Sequence, residues 1–197
     1  MSLSRTLLGI LGVLICESAI GHQAATAAAS PSVSIRRITS LAGRVVAGDF
    51  NGDGPIGDNE QITIRVRSLA NANAWGKAGV MIRESVAAGS MHADAIVSPG
   101  KGIAMQYRNA TNGTTVSAAQ VNGAAPVWLR IFRSEPASPG AIGSFQASFS
   151  TDGQGFRLLS NSLHFTIAHD AMIGIALTSH TPRVETTAVI DDIRIER

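Results

Sequence analysis

The chain has 197 residues, 45% of them hydrophobic and 15% charged, a formal net charge of +2 and one cysteine. Arg and Lys are scattered among Asp and Glu and form no basic stripe, which argues against nucleic acid as a partner. One cysteine excludes an internal disulfide, so stability must come from packing.

The N-terminus reads as an export signal. Arg5 supplies a positive charge, an apolar run from Leu7 to Ile15 follows, and small residues begin at Ser18. That run is too short to span a bilayer, so stable membrane insertion is not expected. Ala19-Ile20-Gly21 and Ala25-Thr26-Ala27 both offer small-x-small cleavage patterns, and the sequence does not choose between them. A lipoprotein anchored through Cys16 is disfavoured by the bulky Ile15 before it. The expected organisation is a signal at 1–27, a lead-in with a first strand at 28–47, and one domain at 48–197. The expected location is secreted, periplasmic or at the cell surface. Removing the signal leaves about 170 residues, enough for one substantial core and short for two.

Residues Asp49 to Glu60 (Asp-Phe-Asn-Gly-Asp-Gly-Pro-Ile-Gly-Asp-Asn-Glu) fit a twelve-residue calcium loop. Calcium needs six to eight hard oxygen donors, so alternate side chains must converge on one point, and a glycine at the sixth position allows the sharp turn. Asp49, Asn51 and Asp53 would supply side-chain oxygens, Pro55 its carbonyl, Gly57 a water and Glu60 a bidentate carboxylate. Pro55 is uncommon at its position, and the flanks do not read as helices. The alternatives are a calcium loop without the helical hand, or an Asp/Gly turn into the next strand.

From Glu60 onward, period-two alternation recurs between Gly, Pro, Asn and Ser punctuation, and helical periodicity is absent. Gln61 to Arg67 puts Ile62, Ile64 and Val66 on one face and Thr63, Arg65 and Arg67 on the other. Val127 to Arg133 turns Val127, Leu129 and Ile131 inward, leaving Trp128, Arg130 and Phe132 outside. Ser144 to Ser150 alternates Phe145, Ala147 and Phe149 with polar residues, and Thr151-Asp152-Gly153 supplies a turn. Further strands are predicted at Ala93–Val97, Ile103–Tyr107, Thr115–Val121, Met172–Ser179 and Thr187–Ile195. The phase breaks at Asp191-Asp192, which predicts a bulge or a strand leaving its sheet. The predicted core includes Ile62, Ile64, Val80, Ile82, Leu129, Ile131, Phe145 and Ile175. Many short strands with turn signals indicate an all-β sandwich of two antiparallel sheets.

Several segments carry a family resemblance: Trp75-Gly-Lys-Ala-Gly-Val-Met-Ile-Arg-Glu-Ser85, Ser98-Pro-Gly-Lys-Gly-Ile103, Gln106-Tyr-Arg108, Val127-Trp-Leu-Arg130 and Ala176-Leu-Thr-Ser-His180. Over Glu60 to Arg197 the chain resembles secreted bacterial jelly-roll domains of the concanavalin A-like lectin/glucanase superfamily, whose nearest look-alikes are modules of unassigned function. The resemblance implies a jelly-roll among the sandwiches, which alternation alone does not select. The look-alikes carry extra strands before the counterpart of Ile62. Here only Val33 to Val46 is available, so those strands are shortened or an edge is open.

Glucanases of this superfamily carry two glutamates and an aspartate at alternate positions on one strand, with acid and nucleophile about 5 Å apart. No strand here has that set, and the carboxylates are dispersed. His92 and Asp94 share a strand face with no nucleophile elbow nearby, which favours a surface pair. His164 and His169 lack zinc-ligand spacing. Arg83-Glu84 reads as an exposed ion pair, or Arg83 reaches a sugar or Asp94. Trp75, Tyr107 and Trp128 are candidates for stacking on a sugar ring, Trp75 foremost because it follows the polar Asn71–Ala74 loop. Arg83 and Arg108 would donate hydrogen bonds beside Trp75 or Tyr107. The expected function is a non-catalytic module for carbohydrate or another surface polymer, stabilised by calcium if the loop binds it. The rivals are a structural or adhesive module without a small ligand, and a glycoside hydrolase or lyase.

Overall fold

The computed structural model describes the backbone of residues 14–15, 38–41 and 44–47, and residues 60–134, 142–167 and 171–196 with their side chains. Most of the segment read as an export signal, and Asp49, Asn51, Asp53, Pro55 and Gly57 of the calcium pattern, lie outside these residues. Fourteen strands are described: β1 (Leu14–Ile15), β2 (Ile38–Leu41), β3 (Arg44–Ala47), β4 (Glu60–Leu69), β5 (Lys77–Arg83), β6 (His92–Ser98), β7 (Gly102–Arg108), β8 (Val116–Val121), β9 (Val127–Ser134), β10 (Ser144–Ser150), β11 (Arg157–Leu158), β12 (Leu163–His164), β13 (Met172–Thr178) and β14 (Glu185–Glu196). No helix among the described residues is long and apolar enough to cross a membrane.

The strands form two antiparallel sheets. The first runs β1-β3-β13-β5-β6-β7-β8, and the second β11-β10-β9-β4-β14-β2 with β12 on β10. The architecture is a two-sheet jelly-roll sandwich. The lead-in strands are short and divided: β2 pairs with β14 in the second sheet, whereas β3 pairs with β13 in the first. Each of these two strands is four residues long. Leu14 and Ile15 pair with Ala47 and Val46 at the edge of the first sheet. Signal cleavage at 27 would remove β1 and leave β3 at that edge.

The core lies where the inward rows meet. Ile62, Ile64 and Val66 of β4 stand opposite Ile131, Leu129 and Val127 of β9, and all six are fully buried. Val80 and Ile82 of β5, Ala93 and Ala95 of β6, Ile175 of β13 and Phe145 of β10 belong to the same cluster. Each core residue predicted from alternation is buried. Thr63 differs from its expected wet position: it is buried on the outer side, where Arg130 Nε donates to its hydroxyl at 2.9 Å. The predicted bulge is present, since the β14–β4 register shifts between Asp191 and Arg194 and Asp192 adopts φ 51°. Short polar side chains tolerate that left-handed conformation. Gly79 of the resemblance segment is required by close approach, because a Cβ there would lie 2.1 Å from the Ala95 carbonyl oxygen.

Truncating Ile64 or Leu129 to alanine removes apolar contacts from the fully buried centre. Each change should cost about 2–5 kcal/mol in chemical denaturation. Near-neutral values at both positions would show that these rows do not hold the sandwich together.

Candidate functional site

Two polar regions stand out, both belonging to the first sheet. One covers the face of β5, β6 and β7 turned away from the core; the other is a loop cluster at one end of β5.

Alternation that sends Ala93, Ala95 and Val97 inward places His92, Asp94, Ile96 and Ser98 on the outer face of β6. In register across the sheet, His92 lies between Arg83 of β5 and Arg108 of β7, and Asp94 between Met81 and Gln106. His92 and Asp94 are each only 4% exposed, so the expected surface pair is instead buried. Long side chains from the flanking strands cover them. Lys77 Nζ reaches across β6 to Gln106 Oε1 at 2.9 Å, and Gln106 Nε2 continues to Ser117 Oγ at 2.9 Å. Arg83, expected in an exposed pair with Glu84, is likewise buried and donates to the Ser85 carbonyl at 2.6 Å and to the Ala87 carbonyl. Arg108 donates to the Ala88 carbonyl at 2.8 Å and to Thr115 Oγ1 at 3.1 Å. The two arginines thus hold the β5–β6 loop against the end of this face.

Nε2 of His92 lies 3.8 Å from Oδ2 of Asp94. Burial pushes the imidazole down to about 4, helped by the positive charges of Arg108, Arg83 and Lys77. Burial pushes the Asp94 carboxyl up to about 7, although Lys77, a backbone hydrogen bond at Gln106 and Arg83 pull it back. Through much of the mildly acidic range the pair is therefore an unprotonated imidazole beside a protonated carboxyl. It can donate and accept hydrogen bonds while carrying little charge.

The loop cluster is built around Trp75, which is 48% exposed. Asn73 fixes the chain there: its Oδ1 accepts from the Trp75 backbone at 2.8 Å, its carbonyl accepts from Gly76 N at 2.9 Å, and its Nδ2 donates to Thr181 Oγ1 at 2.8 Å. Lys101 Nζ sits 4.1 Å from the indole centroid, within cation–π range, and the His180 ring stacks at 6.0 Å. His180 and Arg183, in the same β13–β14 loop, have φ 57° and 63°. Such backbone costs free energy and persists where surrounding contacts impose it.

Of the side chains nominated from sequence, Arg83 and Arg108 come together, as the two register partners of His92. Trp75 stands apart from them. All seven residues of β5 separate it from the far side of Arg83, about 23 Å at 3.3 Å per residue. Tyr107 points to the opposite face from Arg108, where its ring stacks on Phe165 at 5.9 Å beside the core. Trp128 is committed to the second sheet, donating from Nε1 to Asp192 Oδ2 at 2.7 Å. Glu60 begins β4 opposite Arg133, and both are buried. No group of three metal-ligating side chains occurs among the described residues. Sequence reasoning missed Lys77, Lys101, Gln106 and His180. The turn Pro99-Gly100-Lys101 carried a usable signal, because closing it pairs Ser98 with Gly102 and so sets Asp94 against Gln106 and His92 against Arg108.

No protein-family model matches the chain, and no curated protein does. Solved structures do. A carbohydrate-binding module from Bacillus subtilis aligns with TM-score 0.59 and 13% identity over 95% of this chain and 97% of that one. A legume lectin-like domain from Entamoeba histolytica gives TM-score 0.53 and 9% identity over 85% and 84%. An alginate lyase from the marine Aplysia kurodai gives 0.51 and 11% over 84% and 82%. At such identities the likeness establishes the fold.

The two buried groups impose opposite pH dependences. His92 has a folded pKa below its ordinary value, so the unfolded chain binds the extra proton between about 4 and 6.5 and stability rises with pH there. Asp94 has a folded pKa above its ordinary value, so its contribution is lost as pH rises from about 4 to about 7. In the native protein the slopes oppose each other. Melting temperatures measured against pH should climb between pH 4 and 6.5 in Asp94→Asn and fall in His92→Gln, with the parent flatter than either. Parallel profiles for all three would refute the assignment.

Proposed function

We propose that the chain is an exported, non-catalytic sandwich module that binds carbohydrate or another surface polymer, with Trp75 as the stacking platform. The observation that carries this reading is the exposed indole on a loop already fixed by Asn73. A flat aromatic face suits the apolar face of a sugar ring, and a platform held in place before binding loses little entropy on binding. Lys101 and His180 beside the ring supply polar groups for sugar hydroxyls. The carbohydrate-binding module and the lectin-like domain among the fold neighbours support the same reading. A glycan array with and without calcium tests it. Trp75→Ala should keep the parental melting temperature and lose glycan retention. Unfolding of this variant would instead assign the indole a packing role. Turnover of a polysaccharide, abolished by changing a single carboxylate, would replace the module reading with a hydrolase or lyase.

Calcium belongs to the proposal through the Asp49–Glu60 pattern. Among its nominated ligands only Glu60 lies within the described residues, buried at the start of β4 opposite Arg133. Asp49→Asn and Asp53→Asn are therefore the cleaner tests. A ligand that binds only the folded state raises the unfolding midpoint with its concentration. Affinities of extracellular calcium modules are about 10⁻⁴–10⁻³ M, so millimolar calcium should raise the melting temperature of the parent and leave the double variant unmoved. A flat response in the parent would favour the Asp/Gly turn.

A further inference from the structure

The two outer faces of the sandwich treat charge differently. On the second sheet four arginines meet acids of the same sheet. Arg65 bonds Asp191 at 2.5 and 2.6 Å, Arg67 lies 3.6 Å from Asp191, Arg194 bonds Asp192 at 2.7 and 2.6 Å, and Arg130 lies 3.9 Å from Glu196. Across β5, β6, β7, β8 and β13 of the first sheet, Asp94 is the sole carboxyl-bearing residue, against Lys77, Arg83 and Arg108. Lys77 donates to a neutral amide oxygen, and Arg108 to carbonyls and a hydroxyl. Among the described residues neither of these two is ion-paired.

A second observation falls on the same face. Three buried side-chain polar atoms among the described residues lack a hydrogen-bond partner: Asp94 Oδ1, Ser98 Oγ and Arg108 Nε. All three lie on the outer side of β6 and β7. Leaving a buried polar atom unpartnered costs stability, and such atoms in a native protein call for an explanation. Ser98 and Asp94 are four residues apart on β6, and Arg108 lies opposite His92 two residues further on. The row spans about 20 Å at 3.3 Å per residue, which suits an extended ligand better than a compact ion.

We propose that the outer face of β5, β6 and β7 binds a carboxylate-bearing polysaccharide, a chain of uronic acid units lying along β6. Lys77 and Arg108 at its rim receive the carboxylates, and Asp94 and Ser98 beneath receive sugar hydroxyls. Entry opens the Lys77–Gln106 bridge, and the ammonium exchanges a neutral amide oxygen for a carboxylate, so that donor and acceptor are both charged. In the mildly acidic range the uncharged His92 and protonated Asp94 offer Lys77 and Arg108 no counter-charge on β6. This inference rests on the carbohydrate reading, but it concerns residues other than Trp75 and specifies the class of sugar.

The test is affinity electrophoresis and calorimetry of the full-length protein with polygalacturonate, dextran sulfate and neutral pullulan. Polygalacturonate should bind in preference to the other two. Lys77→Gln and Arg108→Gln should each weaken it about tenfold or more. Lys77→Arg should retain binding, as should Arg67→Gln on the opposite sheet. Melting temperatures identify any variant that has lost its fold, and the Lys77 pair decides the matter should Arg108→Gln loosen the β5–β6 loop. Equal retention of dextran sulfate, or an equal loss in Arg67→Gln, would show non-specific ion exchange and overturn the inference. Binding of neutral glycans through Trp75 without preference for polygalacturonate would also overturn it while the module reading stands. No binding to any glycan would remove both.

Discussion

Two rows of branched side chains meeting between the sheets are the constraint on which the rest of the molecule depends. Ile62, Ile64 and Val66 face Val127, Leu129 and Ile131 within one sheet, and together they pack against β5, β6 and β13 of the other. Because side chains alternate strictly, burying one row commits its neighbours to the opposite face, and a slip of one residue would expose the whole apolar set. Register is therefore fixed by the core. The outward residues inherit their positions without having to contribute packing energy themselves.

That inheritance has been used in two ways. On the second sheet the outward residues satisfy one another: Arg65 lies 5.0 Å from the Trp128 ring centroid and bonds Asp191, Trp128 bonds Asp192, and Arg130 lies 3.6 Å from the Phe156 ring centroid. Half-exposed ion pairs of this kind contribute little to stability individually. Their consistent effect is to hold β14 against β4 across the bulge, where Asp192 serves both Trp128 and Arg194. On the first sheet the outward residues are buried without being fully satisfied. Burying a carboxyl and an imidazole beneath cationic side chains is costly, which makes this face the stronger candidate for a site.

Most of the fold was legible in the sequence because it rests on local alternation. Strands β6, β7 and β8, the inward rows and the Asp191-Asp192 bulge all follow from period-two patterning and its interruption. The site was legible only in part. The short β6–β7 turn fixes which residues of those two strands oppose each other. The pairing of β5 with β6 closes through the longer 84–91 loop, whose length does not determine register, so the meeting of Arg83 with His92 could not be read beforehand. On the Asp94 side of β6, Lys77 and Gln106 meet over the strand, a contact between side chains of two strands separated by a third. Such cross-strand cover leaves no mark on periodicity. Tyr107 and Arg108 illustrate the converse: adjacency in sequence puts them on opposite faces of β7, so they cannot serve one ligand on one side of the sheet.

Strand β5 also fixes how the two polar regions of the first sheet relate to each other. Trp75 precedes it and Arg83 ends it, so the aromatic platform and the arginine pair lie at opposite ends of one rigid strand, with Lys77 between them nearer the platform. Any ligand that meets both must be extended along the strand direction; a single sugar ring would meet only one end. Near the platform end Lys77 turns toward Gln106 and Lys101 toward Trp75. Engagement of the second region by a chain already held at the first is an intramolecular event, with an effective concentration set by the strand's fixed length. If both regions bind as proposed, this geometry would favour polymers over oligomers without requiring either region to bind tightly by itself.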